Sequence, residues 1–176
     1  MRQKNSRKQE WIRLLLMHAT LLAAILLIVC LCWYVSAYWY QFVLIRGKSM
    51  MPTYHPLQLV LLEKRVQEYR TGDVIAFRCE GFDTVLIKRI AAGPGDTVVI
   101  ADGTLLVNGT PTPLYREGAF GFAGLLDREI TLASGEYIVI GDNIAESKDS
   151  RYPQVGVVRP ETILGRLVRS AAPKNN

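Results

Sequence analysis

Histidine is almost missing from this chain: its 176 residues hold only His18 and His55. His18 lies inside a long apolar run, so His55 alone is left to serve as an imidazole base in a globular domain. A metal centre is equally unsupported. Outside the apolar run only His55 and Cys79 offer nitrogen or sulfur ligands, fewer than the three or so protein ligands that a zinc site takes. No metal and no cofactor is therefore expected. Cysteine is scarce as well. Cys30 and Cys32 fall in the apolar run and Cys79 stands alone, which excludes a disulfide framework.

Charge is missing in one place. From Leu14 to Tyr40, 27 residues carry no Asp, Glu, Lys or Arg. A bilayer core takes roughly 20 apolar residues in a helix, so this run can span. Val35-Ser36-Ala37 offers a small-residue cleavage site, but the apolar segment of a cleavable signal peptide is usually about 7–15 residues. The run reads as a retained anchor. Trp11 marks one end, and Trp33, Tyr34, Tyr38, Trp39 and Tyr40 crowd the other, where amphipathic rings favour the headgroup region.

The net charge of +5 becomes informative once divided. Residues 1–13 carry five basic residues against Glu10, while the remainder holds 16 basic and 15 acidic residues. The basic excess is thus a property of the tail, and nucleic acid is not expected as a partner. A basic tail before a span is cytoplasmic by the positive-inside rule. The expected organisation is a basic cytoplasmic tail (1–13), a transmembrane signal-anchor helix (14–40) and an extracytoplasmic domain (41–176) on a single-pass cell-membrane protein, with the lipid bilayer as a partner.

That domain reads as mainly β. Strand candidates are 57–62, 73–77, 84–90, 97–101, 105–107, 137–140 and 163–168. Asp102-Gly103 and Asn108-Gly109 are hairpin signals, which is a simpler reading of Asn108-Gly109-Thr110 than a glycosylation triplet. Pro160-Glu161-Thr162 can open one short turn. Residues 111–128 look like a loop or small insertion, and Pro173 to Asn176 a frayed terminus. Short strands with frequent glycine turns favour a small β-barrel or sandwich.

Ser49 follows the apolar run by about nine residues, in Ser49-Met50-Met51-Pro52-Thr53. A serine hydroxyl is a poor nucleophile until a base takes its proton. With histidine nearly excluded, lysine is the remaining common base. It must be neutral, yet its reference pKa is about 10.4. Working near pH 7–8 costs about 4 kcal/mol, which burial among apolar groups can supply. Strand alternation puts Leu86, Lys88 and Ile90 on one face and Val85, Ile87 and Arg89 on the other, so Lys88 sits between aliphatic neighbours. Lys48, Lys64 and Lys148 lie in polar surroundings. The third constellation is the polar segment Gly141 to Arg151, with Asp142, Ser147, Asp149 and Arg151.

Four blocks in order resemble the motifs of bacterial type I signal peptidases: 47–53 (Gly-Lys-Ser-Met-Met-Pro-Thr), 72–77 (Gly-Asp-Val-Ile-Ala-Phe), 88–96 (Lys-Arg-Ile-Ala-Ala-Gly-Pro-Gly-Asp) and 141–151. With the anchor they cover nearly the whole chain. The resemblance implies a signal-peptidase-like β-barrel or sandwich behind one transmembrane helix. It implies that Ser49 attacks the scissile carbonyl and that Lys88 is the general base. The Ser49 N–H would help bind the oxyanion. Gly47 occupies a position where some members supply a serine hydroxyl. Ser147 would hydrogen-bond and orient Lys88, Asp149 and Arg151 would form a supporting ion pair, as would Arg89 and Asp142, and Met50 would pack beside the substrate.

Ile144 departs from the arginine many members carry there, and the second domain of larger members looks absent or reduced to 111–128. The implied substrates are secretory preproteins, bound as an extended cleavage segment and cut after small residues of the Ala-x-Ala type. A self-cleaving repressor-type peptidase is disfavoured, because a span takes the place of its DNA-binding domain. A non-catalytic relative assisting surface-polymer assembly would lack the nucleophile or the base, and both are present. An active enzyme dedicated to pilin subunits is an alternative the residues leave open, as is the oligomeric state.

Overall fold

The computed structural model describes residues 2–168, and the side chains from Glu10 onward. The frayed terminus expected at Pro173 to Asn176 lies outside the described residues, as do the side chains of most of the basic tail. The chain divides into two compact units, Met1–Tyr40 and Gln41–Asn176.

The first unit is dominated by helix α1, Arg2–Tyr38. Its stretch Glu10–Tyr38, 29 residues, is long and apolar enough to cross a membrane. Two differences from the sequence reading stand out. The helix runs back through the basic residues, because Lys, Arg and Gln are good helix formers. It also stops two residues short of Tyr40, which instead opens a strand.

The second unit is mainly β. In chain order the strands are β1 Tyr40–Leu44, β2 Leu59–Glu63, β3 Val74–Cys79, β4 Thr84–Ala92 and β5 Thr97–Ala101. They are followed by β6 Thr104–Val107, β7 Thr110–Pro111, β8 Ile130–Thr131, β9 Ile138–Ile140 and β10 Ile163–Leu167. They form a six-stranded sheet in the order β1-β2-β10-β3-β4-β9 and a four-stranded sheet in the order β7-β6-β5-β8. The long antiparallel pair β3–β4 lies within the first sheet, with Ile75 opposite Lys88 and Phe77 opposite Leu86.

Turn chemistry explains the second sheet. Asp102 and Gly103 have φ of 49° and 70°, and Asn108 and Gly109 have 54° and 73°. Both are two-residue turns with positive φ at each central position, the geometry whose twist matches the flanking strands. The core falls into three apolar clusters. One, with Val98, Leu105, Phe120, Leu126 and Ile140, joins the second sheet to residues 111–128. Another gathers Ile45, Met50, Tyr54, Val60, Leu62 and Val74 around the chain after β1. The third holds Ile75, Phe77, Ile90, Tyr137 and Val139 beneath β3 and β4.

Candidate active site

Lys88 lies on the face of β4 that points into the third cluster, opposite Ile75 and between Leu86 and Ile90. It is 3% exposed. Burial pushes its pKa down from 10.5 to about 8, against the opposing pull of Asp149, Asp142 and Cys79. Desolvation wins because the ammonium loses more hydration than those groups return. Ser49 is reached by a separate route. After β1 the chain pairs back on itself, the Ile45 N–H donating to Gln58 O and the Leu57 N–H to Ile45 O. It then turns at Gly47, whose φ of +95° disfavours any residue with a Cβ. Met50 and Tyr54, both 2% exposed, anchor the following turn in the core. The two routes converge: Lys88 Nζ and Ser49 Oγ are 2.7 Å apart, hydrogen-bonded across 39 residues of sequence.

A cleft of about 310 Å³ opens beside this pair, lined by residues 43–47 on one side and 84–88 on the other. One wall is the end of β1 and the chain after it, the other is β4. Ile45 spends its backbone groups on residues 57 and 58, and Ile90 spends its own on residues 72 and 73. Backbone polar groups alternate sides along a strand. Along β4, Val85 and Ile87 therefore turn their N–H and C=O groups away from β3. Met50 belongs to the cleft lining yet is almost wholly buried, so it forms floor rather than rim. Gly47 is exposed and brings no side-chain donor; an added Cβ there would meet nothing within 4 Å.

The 141–151 segment closes the other side. Arg151 and Asp149, 3% and 0% exposed, are paired twice: Nε donates to Oδ1 at 2.8 Å and Nη2 to Oδ2 at 2.9 Å. Arg151 Nη2 also donates to the carbonyls of Ile144 and Ser147, and Asp149 Oδ2 accepts the Gly141 N–H. Buried charges need this completeness, since an unpaired one is costly. Arg89 and Asp142 form a second two-pronged pair at 2.8 and 2.6 Å, and Arg89 Nη1 donates to Gly72 O. Residues 111–128 brace the segment from beneath. The Tyr115 hydroxyl donates to Ile140 O, the Arg151 guanidinium stacks over the Phe120 ring, and the Leu125 N–H donates to Arg151 O.

One expectation differs. Ser147 is 2% exposed, but its Oγ has no hydrogen-bond partner among the described residues and does not engage Lys88. The Arg151 bond to the Ser147 carbonyl fixes the backbone, and the hydroxyl lies against Gly141, whose missing Cβ would be 2.3 Å from it.

Two contributors escape the sequence reading. Thr53 Oγ1 accepts a long bond from Arg89 Nη2 at 3.4 Å. Asn143 reaches the nucleophile turn from 95 residues away, its Nδ2 donating to Lys48 O at 3.2 Å and its backbone N–H to Ser49 O at 3.0 Å. Asn in a Gly-Asp-Asn run gives no signal beyond a polar turn. His55, the remaining imidazole outside the helix, is exposed and engages Gln58 through its backbone.

A serine hydroxyl in contact with a buried lysine whose pKa burial lowers, set at the end of a cleft, has the parts for hydroxyl nucleophilic chemistry without histidine. The sequence profile of the family described as signal peptidase, peptidase S26, matches residues 18–171. Signal peptidase I of Bacillus licheniformis is 30% identical over 146 residues, covering 73% of this chain and 75% of the relative. Signal peptidase I P of Bacillus subtilis subsp. natto is 26% identical over 182 residues, covering 93% and 89%. The solved structure of a signal peptidase I from Enterococcus faecalis V583 is 26% identical with a TM-score of 0.46, covering 59% of this chain and 100% of that one. The chain belongs to the signal peptidase family, peptidase S26, and is a serine endopeptidase of the signal peptidase I kind.

Proposed function

We propose that this protein removes signal peptides from secretory preproteins at the outer surface of the cell membrane, held there by helix α1 with residues 1–13 on the cytoplasmic side. Ser49 is the nucleophile and Lys88 the general base. The observation that carries the reading is the 2.7 Å contact between Lys88 Nζ and Ser49 Oγ in a site where burial lowers the lysine pKa to about 8.

The reaction follows from that contact. The preprotein lies extended in the cleft between residues 43–47 and 84–88 and cleaves after a small residue of the Ala-x-Ala type. Neutral Lys88 takes the Ser49 proton as Oγ bonds to the carbonyl carbon. The oxyanion that forms accepts the Ser49 N–H, a donor of the kind worth roughly 3–4 kcal/mol in acyl transfer. Collapse breaks the C–N bond, and Lys88 returns its proton to the leaving amine. Water then attacks the acyl-enzyme with Lys88 as base again, and Ser49 is restored. With glycine at 47, no side-chain hydroxyl there assists the oxyanion. The Asp149–Arg151 and Arg89–Asp142 pairs hold the walls, and the segment carrying Ser147 packs beside the reacting pair.

The test is cleavage of a secretory preprotein by the full chain in detergent micelles, with the new N-terminus sequenced. Ser49→Ala and Lys88→Ala each abolish cleavage while the β domain keeps its circular dichroism spectrum. Near-normal turnover by Lys88→Ala refutes the dyad.

A further inference from the structure

We infer that Asn143 is a positioning residue for the oxyanion donor, fixing the direction of the Ser49 N–H by holding both carbonyl groups that flank Ser49. This rests on the proposed role of Ser49.

The geometry has three parts. The Asn143 side chain donates from Nδ2 to Lys48 O at 3.2 Å. Only the NH₂ end of an amide can serve a carbonyl oxygen, so the orientation of the side chain is set. Its backbone N–H donates to Ser49 O at 3.0 Å. One residue therefore grips the peptide before Ser49 and the peptide after it. The Lys48–Ser49 peptide is trans. In a planar trans peptide the C=O and N–H point in opposite directions. Holding Lys48 O against Asn143 thus aims the Ser49 N–H the other way, and also fixes the Ser49 Cα–Cβ direction that carries Oγ to Lys88. A hydrogen bond to the carbonyl of a peptide further polarises its N–H.

Asn143 is itself held in place. Its carbonyl accepts the Glu146 N–H, its neighbour Asp142 is locked by Arg89, and Gly141 is tied to Asp149. The turn supplies one grip itself, the Met51 N–H donating to Lys48 O at 3.1 Å, but the chain leading into it is loosely held. Gly47 is exposed at positive φ, and residues 45–48 belong to no strand. Because Gly47 lends no hydroxyl to the oxyanion, alignment of the backbone donor carries more weight here than in a site with two donors. An oxyanion donor costs no reorganisation during reaction only when it is already aimed.

The experiment compares wild type, Ser49→Ala, Asn143→Ala and Asn143→Asp as full chains in detergent micelles with one preprotein. Asn143→Asp keeps the side-chain shape and the backbone bond but replaces the donor with a carboxylate oxygen. The expected result is a kcat lowered about 10- to 100-fold in both Asn143 variants, somewhat less than for outright loss of a donor. KM is unchanged within twofold in both, and in the uncharged Asn143→Ala variant so is the midpoint of the pH profile that reports Lys88. Affinity for a peptide aldehyde of the cleavage sequence, which adds to Ser49 and places its oxyanion on the same N–H, falls in parallel with kcat. The inference is overturned if Asn143→Asp keeps wild-type kcat, if KM alone rises, or if the pH midpoint of Asn143→Ala moves with the rate. Cleavage by Ser49→Ala is a different failure: it removes the nucleophile assignment itself, and this inference with it.

Discussion

Replacing Lys88 by Met should stabilise the protein at neutral pH, by an amount set by the same burial that makes the lysine basic. Lys88 has a pKa of about 8 in the folded chain against 10.5 for the unfolded reference. Between those values the unfolded chain holds more protons than the folded one, so stability rises with pH across that window. Below pH 8 both states are protonated, and the fold bears the full cost of a buried ammonium, about 3 kcal/mol at 1.36 kcal/mol per pH unit. From pH 7 to pH 9.5 roughly 2 kcal/mol of that cost disappears. Methionine fills similar space without charge. The stability gap between Lys88→Met and wild type should therefore be largest near pH 7 and narrow by about 2 kcal/mol at pH 9.5, or about 6 °C in Tm for a domain of this size. Calorimetry of the full chain in micelles reads it, and subtracting the two proteins cancels every other titrating group. The catalytic counterpart has the same origin. Only about one lysine in ten is neutral at pH 7 with a pKa near 8, so kcat/KM should climb about tenfold per pH unit below 8 and level off above it. A gap independent of pH, or a rate limb centred near 10.5, refutes the claim that burial tunes Lys88.

Two further substitutions test the walls of the site. Gly141→Ala places a Cβ 2.3 Å from Ser147 Oγ and 2.5 Å from Ser49 O. It should push the 141–151 segment off Ser49 and lower kcat at least tenfold, in line with the cost of misplacing reacting groups by about 1 Å; wild-type turnover contradicts the close approach. Arg151→Met leaves Asp149 charged and buried, and breaking such a pair costs about 3–5 kcal/mol. A fall in Tm of about 10 °C or more is expected, and a change below 2 °C would show that Asp149 is solvated or neutral.

What could be read in the sequence follows from what is local. Strand period places Lys88 among Leu86 and Ile90, because side-chain direction alternates with each residue whatever the rest of the fold does. The Asp-Gly and Asn-Gly turns are legible for the same reason: their positive φ at both positions is a property of two residues. Strand β1 is not legible, since the charge-free run continues past the helix end at Tyr38 and nothing in composition marks the change. Nor is the bracing role of 111–128. Phe120 and Leu126 are 4% and 0% exposed without belonging to any strand, so no period betrays them.

The nucleophile is the extreme case. Ser49 stands in a turn closed by the Met51 N–H on Lys48 O, with a positive-φ glycine two residues before it and no strand or helix around it. The rest of its alignment comes from outside that turn, from Lys88 39 residues away and from Asn143 95 positions beyond Lys48. A regular strand would hold the backbone groups on either side of the serine in a ladder, and the N–H proposed for the oxyanion would be occupied by a neighbouring strand. Leaving Ser49 outside the sheets keeps that N–H free, and the site then needs a distant clamp to aim it. Local sequence shows the freedom, as glycine beside serine, but the clamp exists only once the sheets have brought the 141–151 segment against the serine turn.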